Sequence, residues 1–206
     1  KYTTSGSLAW SFTPSGNGTS QATGIAVDAN GNSYVTGWYK NSIDLHGLSA
    51  TGSGVLIGNG DLNWFIASYA SDGTLRWCSQ VGGPNDDTPS SIAVSNDAVY
   101  VLGTIKGRIT TPYGSVSNSL PTGKYNLVLV KYSLNGSGQW LVSGGSNDDE
   151  SAHSVATDED QVYVAFRTKN TDHKWYGPSG NTLVSSSALD NWDLRVSAFT
   201  ATGSHS

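Results

Sequence analysis

Hydrophobic and polar positions alternate along several short stretches of the chain, and Val, Ile and Tyr are frequent in them. The clearest stretches follow one another as "LRWCSQV" at 75–81, "SSIAVS" at 90–95, "AVYVLGTI" at 98–105 and "NLVLVKYS" at 126–133. A period of two with β-branched and aromatic residues is typical of β-strands. The pattern therefore predicts four short strands, which we label A to D in this order.

The same four-strand unit recurs along the chain. An aromatic residue near the end of strand D recurs with spacings of 67, 63 and 67 residues, at Tyr2, Tyr69, Tyr132 and Phe199. A tryptophan follows the first three of them by eight residues, at Trp10, Trp77 and Trp140. Strand B repeats an aliphatic residue at Ile25, Ile92 and Val155, and strand C repeats a Tyr-Val pair at 34–35, 100–101 and 163–164. So many landmarks in one register indicate an internal repeat.

Turn signals separate the strands within and between the units. The D-to-A junctions read "SDGT" at 71–74 and "LNGS" at 134–137. The turn between strands B and C of the first unit contains Asn30-Gly31, a pair that favours the positive φ of tight hairpins. Successive strands are therefore predicted to be antiparallel.

Four short antiparallel strands in each repeat are typical of a β-propeller blade. On the strand pattern alone, a sandwich and a β-solenoid remain open. We predict an all-β fold, a β-propeller-like array of three four-stranded antiparallel blades that is part of a larger propeller or repeat assembly. The predicted divisions are 1–7 for the end of a preceding blade and its turn, 8–74 for blade 1, 75–137 for blade 2, and 138–206 for blade 3 and the start of the next junction.

Three stretches carry a resemblance to a known family: "GIAVDANGNSYVTG" at 24–37, "QVGGPNDDTPSSIAVSNDAVYVLGTIKG" at 80–107 and "NLVLVKYSLNGSGQW" at 126–140. They resemble the SBBP β-propeller repeat, and the resemblance extends over essentially the whole chain, with the third unit more diverged. It implies the propeller fold and no particular activity. Two features depart from the family pattern: the connections from C to D are longer, and Asn63 and Asn126 stand where strand D often opens with an acidic residue.

Three blades are too few for a closed ring, since propellers usually have four to eight. Uncovered outer blades would leave apolar faces in water, as in other stacked repeats. Two explanations stay open: several chains close the ring together, or these residues are a segment of a longer array. Lys1-Tyr2 aligns with the end of strand D in the other units. This alignment favours the explanation that these residues are a segment of a longer array.

Composition and charge narrow the set of partners. The chain has 25 Gly, 13% charged residues, a net charge of -5 and a pI near 5.1. An acidic chain is a poor match for nucleic acid or an anionic membrane surface, and no apolar run approaches the ~18 residues of a membrane span. N-glycosylation sequons begin at Asn17 and Asn135, both in predicted turns. We therefore expect an extracellular or cell-surface glycoprotein.

Acidic turns follow strand A in the second and third units, as "PNDDT" at 84–88 and "SNDDE" at 146–150. Carboxylate oxygens are ligands that Ca²⁺ prefers, so the candidate metal ligands are Asp86, Asp87, Asp148, Asp149 and Glu150. The alternative is turn formation, for which Asp and Asn are common. No calcium-loop spacing is present, and the first unit lacks the cluster. We therefore predict no cofactor, and Ca²⁺ is the one candidate ligand of these turns.

Aromatic residues in the C-to-D connections are candidate ligand contacts. His46, Tyr113 and Tyr176 occupy equivalent phases of the repeat, and Trp38 and Trp175 lie near them in sequence. Exposed rings in such positions stack on the apolar faces of sugars. The alternative is that each ring covers its own blade. The repeated Trp10, Trp77 and Trp140 are instead predicted to pack between blades, where each indole N–H needs an acceptor.

No convergent catalytic set is visible. The four His residues occupy unrelated phases of the repeat, and the chain has no H-E-x-x-H, G-x-S-x-G or phosphate-loop motif. We predict a non-enzymatic structural or scaffolding module, such as part of a surface filament, that assembles with copies of itself or with neighbouring blades. A lectin-like, glycan-binding propeller is the alternative.

Overall fold

The computed structural model describes residues 1–47, 54–59, 61–117, 119–169, 172–179, 182–186 and 192–205. Parts of the long C-to-D connections, 48–53 and 187–191, lie outside this set. Regular structure in the described residues is entirely β, so no helix among them is long and apolar enough to cross a membrane. The strands are β1 (Ser20–Val27), β2 (Ser33–Tyr39), β3 (Ser42–Asp44), β4 (Val55–Ile57), β5 (Asn63–Tyr69), β6 (Leu75–Val81), β7 (Asp87–Val94), β8 (Ala98–Lys106), β9 (Thr110–Thr111), β10 (Gly114–Ser115), β11 (Tyr125–Ser133), β12 (Gly138–Gly145), β13 (Ser151–Thr157), β14 (Gln161–Thr168), β15 (His173–Tyr176), β16 (Thr182–Ser186) and β17 (Asp193–Thr200).

The first sheet contains four antiparallel strands in the order β1-β2-β5-β6. Its first hairpin closes at the predicted Asn30-Gly31 turn, where Gly31 has φ 78°. The carboxylate of Asp28 accepts hydrogen bonds from the backbone N–H groups of Asn30 and Asn32, at 2.9 and 3.0 Å. A short polar side chain that bonds its own turn in this way fixes the hairpin register.

The other large sheets differ from the prediction of four strands each. The second sheet has the order β16-β15-β12-β11-β8-β7, and the third has β13-β14-β17. The six-stranded sheet arises because β15 pairs with the outer edge of β12 over residues 143–145. Such an edge carries unpaired backbone groups that a passing segment can bind. Antiparallel all-β structure is confirmed, and three equal four-stranded blades are not observed.

Strand A pairs with strand D of the preceding unit. β6 hydrogen-bonds to β5, and β12 hydrogen-bonds to β11. The reason is the short Gly turn between D and A, in which Gly73 and Gly136 have φ values of 93° and 89° and permit a tight hairpin. The predicted units, which begin at strand A, are therefore offset by one strand from the observed sheets.

The sheets stack face to face, and each sheet has two faces in equivalent positions. We call the face toward the preceding sheet the leading face. In the first, second and third sheets it carries one residue of strand B (Ile25, Ile92 and Val155) and one of strand C (Val35, Val101 and Val164). We call the opposite face the trailing face. It carries two residues of strand D, which are Trp64 and Ile66 in the first sheet, Leu127 and Leu129 in the second, and Leu194 and Val196 in the third. In the first contact, Trp64 and Ile66 share one core cluster with Ile92 and Val101. In the second, Leu127 and Leu129 share another with Val155 and Val164.

The repeated tryptophans bind across the stack. Trp10, Trp77 and Trp140 donate their indole N–H to the carbonyl oxygens of Ser71, Leu134 and Ala201, at 3.0, 3.0 and 2.9 Å. Each acceptor lies in the D-to-A turn one repeat further on. These contacts confirm the predicted packing role and supply the required acceptor.

The described residues do not form a closed ring. The leading face of the first sheet and the trailing face of the third are not covered by another sheet in this part of the chain.

Candidate functional site

The leading face of the first sheet exposes apolar side chains. Ile25 and Val27 are 67% and 58% exposed, whereas Ile92, the equivalent of Ile25, is 7% exposed. A cavity of about 650 Å³ lies on this face, lined by Trp10, Phe12, Val35, Ile43, Phe65 and Tyr69 among others. Large exposed apolar areas bordered by polar residues mark interaction sites.

The N-terminal segment Leu8–Pro14 lies along this cavity. The ring of Phe12 packs on Tyr69 with a centroid distance of 4.8 Å, and the ring of Trp10 lies 6.4 Å from Phe12. The segment occupies the position of a strand A, which β6 and β12 occupy in the following units. Its backbone forms isolated bridges at each end, Tyr2 with Leu8 and Ser15 with Asp44, and belongs to no named strand.

The trailing face of the third sheet is also exposed. Leu194 and Val196 on β17 are 72% and 68% exposed, and Tyr163 on β14 is 38% exposed. Their equivalents in the second sheet, Leu127, Leu129 and Tyr100, are at most 2% exposed. The two open faces are thus the two halves of an interface that the molecule forms twice internally.

Asp87 in the first acidic turn is fully buried. Its carboxylate accepts hydrogen bonds from the backbone N–H groups of Gly83 and of Lys106, the second at 3.0 Å. Burial raises the pKa of Asp87 to about 7, although the two backbone hydrogen bonds act in the opposite direction. These bonds connect the Gly82-Gly83 turn to the end of β8, so the side chain of Asp87 stabilises the fold at this position.

The second acidic turn also binds protein groups. Glu150 is buried; its Oε1 accepts from the Thr168 hydroxyl at 3.2 Å and lies 3.4 Å from Nδ1 of His173. Asp149 accepts from the backbone N–H of Tyr125, and Asp148 pairs with Lys124 at 3.4 Å. Within the described ranges, no three His, Cys, Asp or Glu side chains are placed to hold a metal ion. Calcium binding by these turns and by Asp86 stays an untested prediction.

The predicted ligand-binding aromatics do not form one exposed platform. Trp175 and Tyr176 lie in β15 and are 1% and 5% exposed, so the expectation of exposed rings is wrong for these two. Tyr113 is half-buried, and its hydroxyl lies 2.7 Å from that of Tyr132. Trp175 packs on Phe166 and Phe199 of the third sheet. Tyr113 and Tyr176 pack in the core between the first and second sheets, because β15 pairs with the edge of β12.

His46 and Trp38 retain partial exposure. The imidazole of His46 contacts the carboxylate of Asp44, and its Nε2 accepts from the backbone N–H of Gly54 at 3.1 Å. These contacts fix the position of the ring. They leave glycan binding an untested prediction.

Both sequon asparagines are accessible. Asn17 and Asn135 are exposed; Asn135 lies in a turn, as predicted, and Asn17 lies in a bend before β1. The hydroxyl of Ser133 donates to the amide oxygen of Asn135. The geometry permits attachment of a glycan at either position without unfolding a strand.

The residues of the two open faces were not among the candidate site residues predicted from the sequence. Their signal was present in the repeat, because Leu194 and Ile25 occupy positions that are apolar in every unit. Such positions are covered in the interior of the stack, and no other sheet of the described residues covers them at its two ends. The buried contact of Glu150 with His173 was also missed, since these residues are distant in sequence.

Stacked antiparallel sheets built from an internal repeat define the class of this protein as an all-β repeat protein. Residues 15–38, which include β1 and all but the last residue of β2, match the family model described as SBBP, beta-propeller repeat. This match confirms the resemblance noted in the sequence. No curated protein matches the chain.

Proposed function

We propose that this chain is a non-enzymatic structural module that mediates protein–protein assembly as part of a larger β-propeller or repeat assembly. The open apolar faces carry the proposal, together with the match to a repeat family whose fold is used for protein interaction. Burying a large aliphatic side chain contributes roughly 1.5–3 kcal/mol. The exposed residues at each end therefore provide a substantial driving force for association.

The internal sheet contacts support this use of the end faces. Each joins apolar side chains across the stack and adds polar bonds at defined places, such as the Val155 N–H to the Ser91 hydroxyl at 3.2 Å. A polar bond in an apolar contact fixes the relative position of two sheets, because an unpaired buried donor is costly. The end faces present the same kind of surface to a partner.

We further propose that the assembly is secreted or displayed on the cell surface, as a filament or appendage. The exposed sequons at Asn17 and Asn135 support this location. Asn135 lies in the turn between β11 and β12, away from both end faces, whereas Asn17 lies between Pro14 and Ser20 at the border of the leading face.

The test is to follow the native protein in its producing cells. The medium, the surface fraction and the cell interior are separated, and the particle mass is measured by light scattering before and after glycosidase treatment. We expect the chain in the surface or medium fraction, in particles well above the 21.6 kDa of these residues. A 21.6 kDa monomer in the cell interior would refute the proposal.

Carbohydrate binding is the second proposal, supported by the partial exposure of Trp38 and His46. A glycan array probed with the purified chain tests it, with Trp38→Ala as the variant and the buried Tyr176→Phe as the matched control. Binding that Trp38→Ala abolishes and Tyr176→Phe retains is the expected result. An array without signal rejects this function.

A further inference from the structure

We propose that the partner on the leading face of the first sheet is a second copy of this chain, docked through the trailing face of its third sheet. The inference rests on the proposed assembly function and names its partner. It predicts which residues meet: Leu194 and Val196 of one copy contact Ile25, Val27 and Val35 of the next.

The two internal contacts are the template. In the second contact, Leu127 and Leu129 of β11 share a core with Val155 of β13 and Val164 of β14. In the first contact, Trp64 and Ile66 of β5 share a core with the equivalent positions of β7 and β8. The sheets of a copy-to-copy contact have the same two faces, so the same register applies.

Strand pairing supports the same arrangement. In the first sheet, β5 is paired with β6 from Trp64–Val81 to Tyr69–Leu75. In the third sheet, the described residues show only the start of this pairing, the bridge from Phe199 to His205. The N-terminal segment of the next copy has the phase of strand A and lies on the leading face of its own first sheet. Addition of Ala9–Pro14 along β17 would complete the sheet by strand addition.

One turn must move for the two copies to dock. Tyr2 and Phe199 occupy the same phase of the repeat, as do Leu8 and His205, and both pairs form the same bridge. Residues 1–7 are exposed, so their departure uncovers no core. We place the displacement there. The hydrogen bonds that Lys1 forms with Ala9 and Trp10 are then replaced by bonds to β17 of the partner copy.

The two faces are different surfaces, so the contact is heterologous. Heterologous contacts continue from copy to copy until a ring closes or a filament grows. A face that paired with its own counterpart would instead stop at a dimer. This difference makes the inference testable by complementation.

The first experiment measures the mass of the purified 206-residue chain by light scattering over a range of concentrations. The wild-type chain is expected to form oligomers, whereas Ile25→Asp and Leu194→Asp are each expected to be monomers. A mixture of the two variants is expected to form dimers and nothing larger, because one intact leading face meets one intact trailing face. Melting temperatures close to that of the wild type verify that both variants fold; Ile25→Ser and Leu194→Ser replace them where an aspartate perturbs folding.

A crosslink tests the strand register. β5 and β6 place Ala67 opposite Cys78, and the equivalent positions of a copy-to-copy contact are Ser197 and Ser11. In a Cys78→Ser background, a mixture of the Ser11→Cys and Ser197→Cys variants is expected to form a disulfide-linked dimer of the two different chains, since opposed residues of antiparallel strands are close enough to bridge. The matched control pairs Ser11→Cys with Ser151→Cys, which lies on β13 at the opposite edge of the third sheet, and is expected to stay unlinked.

Three outcomes would overturn the inference. They are a wild-type chain that remains a monomer, an Ile25→Asp variant that still associates, and an absence of the disulfide-linked dimer in an associating mixture. A monomeric purified chain that is nevertheless found in large particles in its producing cells would retain the proposed function with a different partner. Failure of the cell fractionation rejects the function itself.

Discussion

Strands β11 and β17 occupy the same place in successive sheets, yet their surroundings differ. Leu127 of β11 is fully buried, whereas Leu194, its equivalent on β17, is largely exposed. The difference comes from the third sheet, which covers β11 on its trailing face. Burial in this protein is therefore set by the neighbouring sheet and not by the local sequence.

The other end of the stack repeats this comparison. Ile25 and Ile92 are the same residue in the same phase of strand B, and only Ile92 is covered. A stack of repeats keeps apolar residues at positions that need a neighbour. Comparison of the buried and exposed members, Leu127 with Leu194 and Ile92 with Ile25, shows how much of the burial a neighbouring sheet provides.

The largest expected effect contrasts Leu127→Ala with Leu194→Ala. Leu127→Ala leaves a cavity in a sealed core, so its free energy of unfolding should fall by about 2–5 kcal/mol. Leu194→Ala removes an exposed side chain and should change this free energy by less than about 0.5 kcal/mol in the monomer. Urea unfolding of both variants at low protein concentration measures the difference. Equal losses would show that the third sheet contributes little to the stability of the second.

The next contrast uses the glycines of the D-to-A turns, which share a positive φ. Gly6, Gly136 and Gly203 have φ values of 83°, 89° and 83°. A Cβ would lie 2.6 Å from the Trp77 ring at Gly136 and 3.2 Å from the Trp140 ring at Gly203, and would meet no atom within 4 Å at Gly6. An alanine at each turn carries a similar backbone strain, and overpacking adds about 1–3 kcal/mol where a ring is in the way.

We therefore expect stability losses in the order Gly136→Ala, Gly203→Ala, Gly6→Ala, measured by thermal unfolding. An equal loss at all three turns would mean that backbone strain alone decides the effect. It would also mean that Trp77 and Trp140 are packed loosely enough between the sheets to make room for a methyl group.

The third contrast concerns pH. Burial raises the pKa of Asp87 from 3.8 to about 7, so the folded chain holds this proton more tightly than the unfolded chain. The contribution of Asp87 to stability should therefore decline as the pH rises from 3.8 to about 7 and stay constant above that. Asp87→Asn should show a smaller decline over this window in urea unfolding, with Asp61→Asn, an exposed carboxylate, as the matched control. An unchanged decline in Asp87→Asn would assign the pH dependence to another group.

Much of the fold was readable from the sequence because the repeat supplies several independent landmarks. Strand A at 75–81 coincides with β6, and strand D at 126–133 differs from β11 by one residue. The tryptophan contacts were also predictable, since one indole at a constant phase requires one acceptor at a constant phase. These features depend on local periodicity and turn chemistry, which a sequence displays directly.

Other features depend on contacts that periodicity does not encode. A repeat does not state which strand closes which sheet, so the pairing of β6 with β5 had to come from the structure. The acidic residues looked alike in sequence, but Asp87 and Glu150 are buried while Asp148 is partly exposed. The aromatic pair Trp175-Tyr176 looked like a loop feature, and its burial follows from the pairing of β15 with β12.

That pairing also has a mechanical consequence. β15 belongs to the connection between β14 and β17, yet it is hydrogen-bonded to the second sheet. A force that pulls the third sheet away from the second must break these backbone bonds as well as separate two apolar faces. The bridge between Ser15 and Asp44 occupies the equivalent place at the first sheet. In an assembly under tension, these backbone hydrogen bonds would resist separation of neighbouring sheets in addition to their apolar contact.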